Sequence, residues 1–135
     1  MLIRSAPGHT VRCVSTDQRH HLGRLGERLA AEHFERLGYR VIARGFRTRF
    51  GEIDLVVASD RDLVFCEVKT RRAGSGSPWD ALGPPKQTQV RRMAAAYLAE
   101  VADRPRSAEL RFDAVGVTID GQGRLVALEH LEGAF

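Results

Sequence analysis

Lysine is nearly missing from this chain. Of its 21 basic side chains only Lys69 and Lys86 are lysine, which leaves 19 arginines. Cysteine is equally scarce. Cys13 and Cys66 make no CxxC and no paired framework, which excludes a disulfide-stapled secreted scaffold and fits a reducing cytoplasm. No apolar run approaches the roughly 20 residues that cross a bilayer. The stretch from Met1 to His21 has basic residues but no continuous apolar segment, so it is not a secretory signal. The five histidines show no pair at zinc-ligand spacing on a shared predicted element, which argues against a zinc site.

What is present belongs to one globular domain. A chain of 135 residues supports a single core, and 43% hydrophobic with 28% charged residues is ordinary for such a domain. We expect residues 1–21 to form a poorly ordered leader and residues 22–135 the domain. The net charge of +4 and a pI near 9.7 suit a polyanionic partner.

Periodicity divides the chain into elements. Leu22 to Leu37 reads as an amphipathic helix stopped by Gly38. Strands follow over Tyr39–Arg44 (continuing raggedly to Thr48), Ile53–Ala58 and Leu63–Thr70, with a polar turn at Ser59–Asp62. Arg71 to Pro85 is rich in Gly and Pro and reads as a loop. A second helix runs from Pro85 to about Val101, then a strand over Leu110–Ile119 and a weaker one over Leu125–Leu128. Both faces of the second and third strands are apolar, so helices must cover the sheet on both sides. The predicted class is α/β (α+β), an αβββαβ order with a mixed central sheet flanked by helices.

The turn sets a register that gathers charged residues. Centred between Asp60 and Arg61, it places Asp54 opposite Glu67 and Glu52 opposite Lys69, all four on one face. Facing carboxylates beside apolar residues are costly unless neutralised, and a divalent cation does this well. Mg²⁺ prefers one or two carboxylates together with waters and phosphate. Lys69 would then orient a water or stabilise charge on phosphorus, a task suited to a compact ammonium rather than a forked guanidinium. The competing reading is an exposed hairpin with an ion-pair ladder, which the apolar flanks disfavour.

Further residues frame this site. Arg44, Arg47 and Arg49 before Asp54, with Arg71 and Arg72 after Lys69, are placed to bracket a phosphate backbone. Lys86 and Gln87 open the second helix beside the loop, where Lys86 is positioned for phosphate. Phe50 and Trp79 are candidates for stacking on an unpaired base. Asp113, in an otherwise apolar strand, either approaches the site from the neighbouring strand or serves structure, by pairing with Arg111 or capping a buried network, and the structural reading is preferred.

The ordered motifs Gly26-Glu27-x-x-Ala30, Gly38-Tyr39, Arg49-x-Gly51-Glu52-Ile53-Asp54-Leu55, Val64-Phe65-Cys66-Glu67-Val68-Lys69-Thr70-Arg71 and Arg111-Phe112-Asp113 resemble the YraN family of bacterial proteins. The combination Asp54…Glu67-Val68-Lys69 on an αβββαβ order also resembles the PD-(D/E)XK nucleases of restriction-endonuclease-like fold, and archaeal Holliday-junction resolvases among them. The resemblance implies a metal-dependent endonuclease acting on DNA, branched or structured DNA in particular, without excluding RNA. It implies Asp54, Glu67 and Glu27 as Mg²⁺ ligands (Mn²⁺ as a substitute), Lys69 as catalytic, and a homodimer where a junction is cut. Two departures stand: Ile53 replaces the proline that precedes the metal-binding Asp, and no Gln-x-x-x-Tyr motif opens the second helix. The alternatives are a non-catalytic nucleic-acid-binding module and an adaptor for a DNA-processing complex.

Overall fold

The computed structural model describes residues 16–77, 79, 83–105 and 109–135. Helix α1 spans Thr16–Arg36; strands β1 (Arg40–Thr48), β2 (Gly51–Ala58) and β3 (Asp62–Arg72) follow. Helix α2 (Pro84–Glu100) then leads to β4 (Glu109–Ile119) and β5 (Leu125–Leu131). The strands form one sheet in the order β1-β2-β3-β4-β5. All neighbours are antiparallel except β3 and β4, which run parallel because α2 carries the chain back between them. This is the expected α+β class with a mixed five-stranded sheet and two helices.

Each helix covers one face. Ala30, Ala31 and Phe34 of α1 pack with Leu55, Val57, Val64, Cys66, Val115, Val117 and Ile119. Val90, Met93, Ala94 and Tyr97 of α2 pack with Ile53, Val56, Ala58, Leu63 and Phe65 on the other. Cys66 is buried in the first cluster as a small hydrophobe, and burial pushes its thiol pKa up. Among the described residues no helix is long and apolar enough to cross a membrane.

One helix boundary differs from expectation. Helix α1 begins at Thr16, six residues before Leu22, so the predicted leader boundary at residue 21 falls inside a helix; residues 1–15 lie outside the described residues. The segment Thr16–His20 holds no apolar residue, so periodicity cannot register it. The C-terminal end obeys the prediction. Gly38 has φ +96°, Tyr39 N–H donates to Phe34 O at 3.0 Å and Gly38 N–H to Glu35 O at 3.0 Å, the paired closure of a Schellman motif. The helix thus turns directly into β1.

The β2–β3 turn is pinned by Ser59, whose Oγ accepts from the Arg61 and Asp62 backbone N–H groups at 3.2 and 3.1 Å. From it the expected register runs through Ala58↔Leu63, Val57↔Val64, Val56↔Phe65 and Leu55↔Cys66.

Candidate active site

The regular β2–β3 register extends to Leu55↔Cys66, and the site begins at the next position. There Asp54 Oδ2 accepts the Val68 backbone N–H at 2.8 Å, so a side chain takes a donor from the neighbouring strand. The alternation of β2 changes phase at this residue. Ile53 packs with Val56 under α2, although strict alternation from Leu55 and Val57 assigned it to the α1 face. The expectation that Glu52, Asp54, Glu67 and Lys69 share one face is corrected accordingly. Glu52 turns towards α1 and pairs with Arg47 on β1 (3.9 Å), not with Lys69.

This irregularity assembles three carboxylates. One oxygen each from Glu27, Glu52 and Asp54 lie within 4.8 Å of one another. Glu27 reaches the group because Gly26, beside it, lets α1 approach β3: a Cβ on Gly26 would stand 1.8 Å from Thr70 Oγ1. Glu52 follows Gly51, whose φ of +137° favours glycine and whose own Cβ position would lie 2.7 Å from Gln89 Nε2. Gln89 is held there by donating to Phe50 O at 2.8 Å.

Glu67 stands apart from the trio and is held by lysines. Lys86 Nζ lies 3.1 Å and Lys69 Nζ 3.5 Å from Glu67 Oε2, and the Glu67 side chain is only 8% exposed. Glu67 still acts on the trio through its charge. Burial, and next to it Glu67, raise the Asp54 pKa to about 7, against the Val68 hydrogen bond. Burial, Glu52 and Glu67 also raise the Glu27 carboxyl. Burial leads at both carboxyls, and acidic neighbours add to it, Glu67 and Glu27 at Asp54 and Glu52 and Glu67 at Glu27. The donor set is all carboxylate oxygen, with Glu27 and Asp54 half-buried and Glu52 exposed, which fits a hard divalent cation such as Mg²⁺ or Mn²⁺. Glu27, Glu52 and Asp54 would hold it, with Glu67 adjoining; Glu52 is the ligand candidate that sequence reasoning placed differently.

The basic residues distribute around this centre. Arg44, Arg47, Arg49 and Arg72 are exposed, and Arg71 is half-buried. Arg44 is close enough to Glu27 to oppose its pKa rise. Arg49 and Arg92 place guanidinium carbons 5.1 and 5.9 Å from the Phe50 ring centre, so Phe50 is already covered by arginines and by the α2-side core. Gln87 opens α2 one residue after Lys86 and is half-buried. A surface cavity of about 500 Å³ lies at the β4–β5 turn, lined by His21, Arg24 and Arg72 among others.

A second polar cluster escaped sequence reasoning. His33 Nε2 of α1 meets His130 Nδ1 of β5 at 3.0 Å, and His130 Nε2 meets Asp113 Oδ2 at 2.7 Å. Arg111 grips the same carboxylate through Nε (2.9 Å) and an Nη (2.8 Å), reaches Tyr39 Oη at 2.9 Å, and Gly133 N–H donates to Asp113 Oδ1 at 3.1 Å. Burial alone would raise the fully buried Asp113, yet these donors hold its pKa below the usual carboxylate value. The Arg111 partnership was legible from Arg111-Phe112-Asp113; the two histidines, 97 residues apart, were not.

Comparisons with known proteins agree with the motif reading. A model of the "Uncharacterised protein family UPF0102" matches residues 26–117. A UPF0102 protein of Mycolicibacterium gilvum is 46% identical over 121 residues, covering 87% of this chain and 96% of the relative. One of Parafrankia sp. is 46% identical over 115 residues (84% and 95%), and one of Geobacter sulfurreducens 45% over 120 (86% and 91%). The matched segment contains Glu27, Asp54, Glu67, Lys69 and Asp113 alike, and the chain belongs to the UPF0102 (YraN) family.

Proposed function

We propose that this protein is a metal-dependent endonuclease that hydrolyses phosphodiester bonds in DNA, with branched or structured DNA as its preferred form. The observation that carries the proposal is the convergence of Glu27, Glu52 and Asp54 within 4.8 Å beside Glu67-Val68-Lys69. A divalent cation bound by these carboxylates would acidify a water and offset charge on the phosphoryl group. Asp54 is oriented for this by the Val68 N–H, which fixes one carboxylate oxygen against β3. Lys69, its side chain 25% exposed, presents an ammonium at the rim, where it stabilises negative charge gathering on phosphorus. Arg44 acts on Glu27 and Arg47 pairs with Glu52, and these with Arg49, Arg71 and Arg72 would hold backbone phosphates without reading base sequence.

Recognition by DNA shape is the reading we adopt, since the described elements are a single sheet with one helix on each face. Symmetric cleavage of a four-way junction needs two active sites and therefore a homodimer. A DNA substrate in turn assigns the protein to the bacterial cytoplasm.

The test is cleavage of labelled linear, flapped and four-way-junction DNA with Mg²⁺ or Mn²⁺ by wild type, Asp54→Ala and Lys69→Ala. Metal-dependent cutting by wild type, abolished in both variants, is the expected result. No cutting, with equal DNA binding by all three proteins, would replace the nuclease with a binding module.

A further inference from the structure

The chain's two lysines meet at a single atom. Lys69 comes from two residues along β3 and Lys86 from the first turn of α2, yet both ammonium groups lie within 3.5 Å of Glu67 Oε2. Two like charges on one oxygen repel each other. A cation in the first turn of a helix also faces the positive end of the helix dipole, and α2 has no acidic residue there to offset it. Lys86 also acts on the nearby Asp54 carboxylate, so the two ammonium groups answer a crowded acidic site and not Glu67 alone. Lys86 is the closer of the two and the one not already fixed beside Glu67 by the strand.

We propose that Lys86 is a displaceable counter-ion of Glu67. It holds the carboxylate while the neighbouring trio is free of divalent cation, and it is released to a substrate phosphate when a cation takes over that charge. The inference rests on the nuclease reading and gives α2 a part in it. The side chain suits the exchange. A lysine ammonium is a point charge on a flexible four-carbon stem that changes partners without a fixed fork geometry, whereas arginine commits to bidentate pairing. Pro84 and Pro85 stiffen the helix start, so the stem moves while the backbone stays. Of the 21 basic positions in the chain, the two that keep lysine are the two that share this oxygen.

The experiment measures Mn²⁺ affinity by calorimetry, without DNA, for wild type, Lys86→Met, Lys86→Arg and Asp54→Asn, each checked for folding by circular dichroism. Removing a competing charge a few ångströms from the site should tighten Mn²⁺ binding of Lys86→Met by about tenfold. Lys86→Arg, which keeps the charge, should bind no more tightly than wild type. With Ca²⁺ in place of Mn²⁺, Lys86→Met should bind a four-way junction more weakly than wild type. Should Lys86→Met fail to fold, Lys86→Gln serves the same comparison. Equal Mn²⁺ affinity in wild type and Lys86→Met, with Asp54→Asn still losing the ion, overturns the counter-ion role and leaves the nuclease reading standing. No Mn²⁺ binding by wild type overturns both.

Discussion

Gly26 and Thr70 meet so closely that a methyl group on the glycine would stand 1.8 Å from the threonine hydroxyl oxygen. The contact fixes how near α1 lies to β3, and so whether Glu27 reaches Asp54 and Glu52. Gly26→Ala must push the helix or the Thr70 side chain aside. We expect a loss of about 1–3 kcal/mol in urea unfolding, as for overpacked interiors. Divalent-ion affinity should fall with it. Thr70→Ala should recover part of both losses; a fully tolerated Gly26→Ala would show that the contact does not position Glu27.

Asp54 gives the metal-free protein a pH dependence of unusual sign. Its folded pKa, raised to about 7, exceeds the value near 4 of an unfolded aspartate. Between those limits the folded state binds more protons than the unfolded, so stability falls as pH rises through this window and levels off above it. In EDTA, Asp54→Asn should flatten that slope and stabilise the protein at pH 8 by on the order of a few kcal/mol. Denaturant melts of both proteins at pH 5 and pH 8 make the comparison. Parallel slopes would refute the assignment.

Asp113 predicts the opposite dependence. Its pKa is depressed, so its contribution is present above the unfolded value and is lost as pH falls through the folded one. Asp113→Asn leaves Arg111 and His130 facing an uncharged amide in a buried setting and should cost about 3–5 kcal/mol. The cluster joins α1, Tyr39 just ahead of β1, β4, β5 and the Gly133 turn, so this variant should lower the melting temperature strongly. A melting temperature like that of wild type would assign the cluster a role other than stability.

The arginines make an electrolyte prediction. If Arg44, Arg47, Arg49, Arg71 and Arg72 contact phosphates, each alanine variant should reduce the slope of log affinity against log salt by about 1. The loss should be equal for DNA of different sequence. Fluorescence anisotropy with two unrelated duplexes over a salt series measures both quantities, and an unchanged slope removes that residue from the interface.

Much of this architecture was legible because local rules and burial agree. Strands apolar on both faces demanded two covering helices, and Ser59–Asp62 set the register that holds as far as Leu55↔Cys66. The reading lost accuracy where a side chain replaced a ladder bond. Asp54 accepts the Val68 N–H, the β2 alternation shifts phase, and Glu52 leaves the predicted face for the one shared with Glu27. Period-two reasoning assumes an unbroken pleat and carries no sign of such a shift. The His33–His130–Asp113 chain failed for another reason: its members meet only when the first helix and the last strand pack together, and no spacing in sequence encodes that. Lys86 lay between these cases. Its rarity was visible from composition, its partner only from the fold.

The convergence of both lysines on Glu67 also makes the site chemically addressable. Apart from the α-amino group, every primary amine of the chain lies at this one carboxylate. An amine-selective acylating reagent therefore reports on the candidate site, apart from the α-amino group. A lysine-specific protease has two cut points, and together they excise only residues 70–86, the connection between the Glu-x-Lys strand and α2. Protection of that fragment by a bound ion or by DNA becomes a direct footprint of the site.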